Sequence, residues 1–137
     1  MNPRSPDAHR GPGRPARGKP LSCAELVDEL CAASIALREA RRLHLAAYGT
    51  LIPHVFMAAV LARLGDCFVL GAAHAMDANG PEIKGMLAAL EEGMAHGDRE
   101  ARNVVAISFV RDAEVEIFFQ DLRPLLGPVT RAQLHGG

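Results

Sequence analysis

Residues 81–112 read PEIKGMLAALEEGMAHGDREARNVVAISFVRD, and this stretch decides the fold. Before His96-Gly97-Asp98, apolar residues recur at helical spacing and most charged residues fall on the opposite side. The apolar positions of this first half are Ile83, Met86, Leu87, Leu90 and Met94. A second apolar face follows at Ala101, Val104, Val105, Ser108 and Phe109. The pattern predicts a helical hairpin, which buries a core but specifies no chemistry.

The composition supports the same fold class over the rest of the chain. Hydrophobic residues make up 49% of the 137 residues, whereas aromatic residues make up only 4% and tryptophan is absent. A core of small and aliphatic side chains favours closely packed helices, since alanine has the best helix propensity. We therefore predict an all-α protein, a compact bundle of about five or six helices, with residues 21–137 as a single helical domain.

Residues 1–20 differ in composition from the remainder. They contain five prolines and three glycines with almost nothing apolar, which predicts a disordered tail. They also carry a net charge of +4, so the remainder carries −5 of the total of −1. A mildly acidic helical domain does not suggest binding to nucleic acid or to an anionic membrane.

Helix signals place the elements between the tail and the hairpin. Ser22 and Glu25 have the spacing of a capping box, which predicts a first helix from residue 22 to about Ala47. Pro53 suits the first turn of a second helix ending near Gly65. Asp66 is a candidate cap for a short third segment, 67–76, which is helical or extended. Residues 77–81 (DANGP) are a strong turn signal before helix four.

The segment Val104–Phe119 is rich in β-branched residues, and Glu114-Val115-Glu116-Ile117 alternates like a strand. No glycine or proline interrupts residues 98–123, however, so we favour a helix here. A last short helix over 125–134 should be interrupted at Gly127-Pro128.

The order of these signals resembles a group of small uncharacterised bacterial helical domains. The similarity covers about residues 22–134. Its motifs are 51–56 (LIPHVF), 87–93 (LAALEEG), 96–98 (HGD), 105–110 (VAISFV) and 126–128 (LGP). The resemblance implies an all-helical fold and supplies no catalytic residue. Some proteins of this size and style resemble immunity proteins or antitoxins, which implies a protein partner.

Six histidines raise the possibility of a metal-dependent enzyme or binder. The candidate ligands are His44, His54 and His74, in or beside predicted helices. Helical metal sites usually contain histidines or carboxylates three or four residues apart, as in H-x-x-x-H or E-x-x-H, because such residues share a face. Neither pattern occurs, so we predict no metal site and no cofactor.

Other catalytic signatures are also missing from the sequence. There is no G-x-S-x-G motif and no glycine-rich phosphate loop before a helix. Glu91 and Glu92 are adjacent and point about 100° apart on a helix, so a solvated face is expected. The three cysteines include no C-x-x-C pair, which indicates buried thiols in a reducing cytoplasm. With no secretory signal or membrane span, we expect a cytoplasmic protein.

The sequence therefore favours a non-enzymatic domain that binds an unknown protein partner or itself. The candidate interface is Ile117, Phe118 and Phe119, because three consecutive large apolar residues cannot all face one core from a helix. In the tail, Arg14, Arg17 and Lys19 lie in degenerate halves of an AT-hook, a motif that enters the minor groove of A·T-rich DNA. A DNA-associated regulator is the weaker alternative.

Overall fold

The structure is a computed structural model that describes residues 18–134. It contains α1 (Cys23–Ala33), α2 (Ile35–Tyr48), α3 (Pro53–Phe68), α4 (Ala72–His96), α5 (Arg99–Asn103), a π-helix (Val104–Arg111), α6 (Phe119–Leu122), a 3₁₀ turn (Arg123–Leu125) and α7 (Pro128–Arg131). Within residues 18–134 the predicted all-α fold is confirmed, and no β-strand occurs apart from an isolated bridge. Residues 1–17, most of the tail predicted to be disordered, lie outside the described residues.

Leu21 is the first buried residue of the described chain, and it is fully buried. Its N–H donates to the carbonyl of His96 at 2.8 Å, and its carbonyl accepts from the N–H of Asp98 at 2.8 Å. The predicted capping box follows: Ser22 Oγ accepts from the Glu25 N–H, and the Glu25 carboxylate accepts from the Ser22 N–H. These bonds fix the start of α1 against the end of α4.

The predicted first helix, 22–47, is wrong as one element, because the chain breaks at Ser34. This residue is extended (φ −143°, ψ 118°) and its Oγ accepts from the Leu37 N–H, so it caps α2. Its hydroxyl also donates to Glu82 at 2.6 Å. Arg38 Nε donates to the Cys31 carbonyl, which satisfies the end of α1. The break thus depends on α4, which lies 48 residues away in sequence.

The second helix is longer than predicted and the third is misplaced. α3 continues through Gly65 and Asp66 to Phe68, so Asp66 caps no helix and the extended alternative for residues 67–70 is wrong. The chain turns at Gly71, whose φ of +96° lies in the region that favours glycine, and α4 begins at Ala72. Glycine, rather than the aspartate cap, sets this boundary.

The turn predicted at 77–81 is a kink within α4. Asn79 leaves helical geometry (φ −133°, ψ 23°), and Pro81 has no N–H with which to continue the hydrogen-bond ladder. Arg63 holds this kink in place through two hydrogen bonds of 2.8 Å to the carboxylate of Glu82. This contact, with the Ser34 hydroxyl, holds the pKa of Glu82 below its usual value.

The prediction of helix over Val104–Phe119 is correct as far as Ala113, but residues 104–111 form a π-helix. Its i→i+5 hydrogen bonds place residues about five apart on one face, and Val104, Val105, Phe109 and Val110 are all buried. Ser108, expected on the core face, is only half-buried. Residues 114–118 form turns, and α6 begins at Phe119.

A continuous hydrophobic core joins these elements. α4 contacts α1, α3, α5, the π-helix and α7, and so lies at the centre of the bundle. Leu26, Phe56, Met86, Phe109 and Leu122, which come from five elements, are each at most 1% exposed. The predicted interruption at Gly127-Pro128 is confirmed, since α7 begins at Pro128 after the 3₁₀ turn.

Candidate interaction surface

α3 and the chain from the π-helix to Phe118 lie side by side and run in the same direction. At one end His54 Nδ1 contacts Ser108 Oγ. At the other, the Phe118 ring lies so close to Gly65 that a Cβ built there would be 3.2 Å from Phe118 Cε2. The two contacts are eleven residues apart on α3, or about 16 Å at 1.5 Å per residue.

Phe118 is held by the end of α3. Its ring stacks on that of Phe68, with centroids 6.0 Å apart and planes 6° from parallel. Because Gly65 has no side chain, the Phe118 ring can approach the α3 backbone closely. Phe118 is therefore half-buried, with its ring packed on the Phe68 ring and beside the α3 backbone at Gly65.

Large apolar side chains next in sequence to these two rings lie in solvent. Val69 and Leu70, which follow Phe68, are 76% and 69% exposed. Val115 and Ile117, which precede Phe118, are 83% and 99% exposed. We call these four residues the exposed apolar cluster. Together with Ile35 they are the five most exposed large hydrophobic residues between residues 18 and 134.

An open groove of about 480 Å³ lies between α3 and the turn that carries Phe118. Its apolar lining is Ala58, Leu61, Ala62, Gly65, Val115 and Phe118. Asp66, Asp112 and Glu116 supply its charged lining, and no lysine or arginine from residues 18–134 lines it. In this part of the chain none of the three carboxylates forms an ion pair. The groove is thus apolar at its base and acidic at its edge.

The predicted interface residues lie in three different environments. Ile117 is almost wholly in solvent, Phe118 packs on Phe68, and Phe119 packs against the core. The three side chains point in different directions because residues 117 and 118 belong to a turn and only Phe119 begins α6. Val69, Leu70 and Val115 were missed, because they join this surface only through the contact of Phe118 with α3.

The three candidate metal ligands have separate contacts. His44 is buried, and its Nε2 accepts from the Ile52 N–H at 2.9 Å while its ring packs on Tyr48 and Phe56. His54 is exposed and contacts Ser108, and His74 is exposed on α4. Over residues 18–134, no three histidine, cysteine or carboxylate side chains are grouped so that they could hold a metal ion.

Two of the three candidate DNA-binding residues, Arg14 and Arg17, lie outside the described residues. Lys19 is described and exposed. It lies in an open groove with Gly18 and Pro20 against the end of α4. The structure therefore adds no contact that bears on the AT-hook prediction.

Glu91 does not lie on a solvated face as expected. Its carboxylate accepts from the N–H groups of Val129 and Thr130, both at 2.9 Å, and from the Thr130 hydroxyl at 2.8 Å. Gly127 makes room for it, since a Cβ there would collide with the carboxylate. α7 has no capping side chain of its own, and the N–H groups of Val129 and Thr130 at its start were the sequence signal for a distant acceptor.

The cysteine thiols of this protein are not exposed for chemistry. Cys23, Cys31 and Cys67 are free and buried. Burial, together with the nearby carboxylates of Glu100 and Asp98, raises the pKa of Cys23 to about 12, which leaves it a poor nucleophile.

Between residues 18 and 134, the helices are too short or too polar to cross a membrane.

The exposed apolar cluster and the adjoining acidic-edged groove therefore form the candidate functional site. They combine a stacked pair of aromatic rings with apolar side chains that the described chain leaves uncovered. No family model, curated protein or solved structure matches this chain.

Proposed function

We propose that this protein is a non-enzymatic helical domain that binds another protein through the exposed apolar cluster. The observation that carries the proposal is the exposure of Val115 and Ile117, which are 83% and 99% exposed in the turn that precedes Phe118. Burying a side chain of this size is worth about 1.5–3 kcal/mol. The fold forgoes that stabilisation at four clustered positions, whereas a bound partner would recover it.

The support beneath the cluster suits an interface. Phe118 is oriented by Phe68 and by close approach to Gly65, so the turn carrying Val115 and Ile117 rests on a rigid base. A surface that is already ordered loses little conformational entropy when a partner binds. Binding of another protein, or of a second copy of this chain, would bury the exposed apolar cluster. An immunity- or antitoxin-like role is one instance of such binding.

A cytoplasmic site of action in a bacterium belongs to the same proposal. The three cysteines support it, because they are buried and unpaired in the described chain. Proteins of oxidising compartments more often join such cysteines in disulfides.

The proposal is tested by placing a photo-crosslinking amino acid, p-benzoylphenylalanine, at Ile117 in the full chain expressed in its native cells. The matched control carries the same residue at Leu43, which is 54% exposed on α2. We expect a discrete cross-linked species from position 117 and none of that mass from position 43. Mass spectrometry then identifies the captured protein, or shows it to be this chain.

The captured protein is next purified and titrated against the wild type and the double variant Val115→Ser/Ile117→Ser. We expect the double variant to bind at least tenfold more weakly, with an unchanged melting temperature, because both side chains are exposed. Equal labelling from positions 117 and 43, or equal affinity of wild type and double variant, would contradict the proposed function.

A further inference from the structure

We infer that the partner presents a short cationic amphipathic helix that docks in the groove between α3 and the Phe118 turn. The inference rests on the proposed function and names the class of partner. Three features of the groove carry it: an apolar base, an acidic edge that no lysine or arginine of residues 18–134 lines, and a length that fits about two helical turns.

The base of the groove requires apolar side chains from the partner. Ala58, Ala62 and Gly65 present small side chains along one face of α3, and Leu61 and Phe118 close the sides. An apolar stripe on a partner helix could pack between these ridges, as in other helix-in-groove complexes. Val115, beside the groove, and Ile117 would cover the edge of such a stripe.

The edge of the groove selects the charge of the partner. Asp66 and Asp112 are exposed and line the groove with Glu116, while no lysine or arginine of residues 18–134 does so. Three carboxylates beside an apolar base attract lysine and arginine side chains and repel acidic ones. A partner with basic residues flanking its apolar stripe would match both parts of the groove.

The dimensions of the groove select a short segment. On α3 its lining runs from Ala58 to Asp66, which is about 12 Å at 1.5 Å per residue. A helix of about eight residues, or two turns, spans that distance. One short helix is therefore long enough to fill the groove.

The same charges argue against a symmetric pair of copies of this chain. In a two-fold dimer the same patch faces itself, so Asp66, Asp112 and Glu116 of one copy would face those of the other. Like charges brought together at an interface disfavour association. A heterologous basic partner avoids this repulsion.

The test uses a fluorescein-labelled 14-residue peptide with leucine at positions i, i+3, i+4 and i+7 of one helical face and lysine elsewhere. Two controls accompany it: the same peptide with glutamate replacing every lysine, and a scrambled peptide of identical composition. Binding to the full-length protein is followed by fluorescence anisotropy at 50 and 300 mM salt. We expect the lysine peptide to bind more tightly than either control, and its affinity to fall as salt screens the charges.

Matched double variants locate the site. Asp66→Asn/Asp112→Asn should weaken binding of the lysine peptide at least tenfold, and Val115→Ser/Ile117→Ser should do the same. Asp77→Asn/Glu92→Gln removes the same charge elsewhere, from positions that do not line this groove, and should change the affinity less than twofold. An equal loss of affinity in both charge-removing double variants would overturn the inference. The peptide would then be attracted by the overall charge of the protein and not by the carboxylates of the groove.

Failure of this inference differs from failure of the proposed function. The photo-crosslinker at position 117 could capture a protein whose contacting segment is acidic, or a second copy of this chain. Either result would support the proposed function as an interaction domain and would overturn the inference of a cationic partner helix. Failure of the lysine peptide to bind more tightly than the glutamate peptide also overturns it. If position 117 captures nothing beyond the Leu43 control, the proposed function itself fails.

Discussion

Glu91 shows how one side chain holds a distant part of this chain. Its carboxylate caps α7 by accepting from Val129, Thr130 and the Thr130 hydroxyl. Burial alone raises the pKa of Glu91, but these hydrogen bonds outweigh it, so the pKa lies below the ordinary value of 4.5. The ionised form is therefore the one that stabilises the fold.

We expect Glu91→Gln to lower the free energy of unfolding at pH 7 by about 1–3 kcal/mol, since one charged acceptor of three hydrogen bonds is lost. The contribution of Glu91 is present above the unfolded pKa, near 4.5, and is lost as the pH falls through the lower folded pKa. The difference between wild type and variant should therefore shrink on acidification. Urea titrations at several pH values measure it.

The control for this prediction is Glu92→Gln, on the next residue of the same helix. No hydrogen bond joins Glu92 to another residue in the range 18–134. This variant should change the unfolding free energy by less than about 0.5 kcal/mol. A pH-independent loss in Glu91→Gln would show that the carboxylate charge does not support α7.

The cysteines give a second prediction for single residues. All three are buried, and the pKa of Cys23 is about 12 because burial and neighbouring carboxylates disfavour its thiolate. We expect the native protein to react with fewer than one equivalent of a disulfide reagent at pH 8, and all three thiols to react in denaturing urea. Rapid labelling of the native protein would contradict the burial of these residues.

α1 and α4 pack closely against each other at Ala33 and Gly85. A Cβ added at Gly85 would lie 2.8 Å from the Cβ of Ala33, which cannot rotate away. Gly85→Ala gains about 1 kcal/mol of helix propensity but forces the two helices apart. We expect a net destabilisation of about 1–3 kcal/mol, measured by urea unfolding.

The compensating change is Ala33→Gly, which removes the atom that Gly85→Ala would meet. If the close approach is the cause, Ala33→Gly/Gly85→Ala should be more stable than Gly85→Ala alone. The coupling between the two substitutions should exceed about 0.5 kcal/mol. Additive losses would show that α1 and α4 do not pack as closely as described.

For the whole molecule, the continuous core predicts one cooperative unfolding transition. Tyr48, the only tyrosine in a chain without tryptophan, lies at the end of α2 and contacts His44. Its fluorescence therefore reports on α2, while circular dichroism reports on all helices. We expect the two urea transitions to coincide. An earlier transition in the Tyr48 signal would mean that α2 unfolds separately from the core.

Local sequence signals predicted those features that depend on neighbouring residues. The capping box of Ser22 and Glu25 and the helix start at Pro53 are both present. The break at Ser34 was missed because its partner Glu82 lies on a distant helix. The helical kink at Asn79 was predicted as a full turn, since Arg63 holds Glu82 in a contact that no local pattern shows.

For the candidate site, the sequence indicated Ile117 and Phe118 but not the surface to which they belong. Val69 and Leu70 lie more than forty residues away and reach the cluster because Phe68 stacks on Phe118. The acidic edge of the groove could not be predicted from the sequence either, since Asp66 and Asp112 come from two separate helical segments.

The sequence by itself determined that this protein is helical and where α1 and α3 begin, because capping and hydrophobic periodicity act over three or four residues. Only the tertiary structure decided which apolar residues stay in solvent and which carboxylates gather beside them. Those properties arise when α3 and the π-helix pack side by side and place residues from 58–66 and 112–118 around one groove. Burial and charge complementarity are properties of that packing, to which residues distant in sequence contribute together.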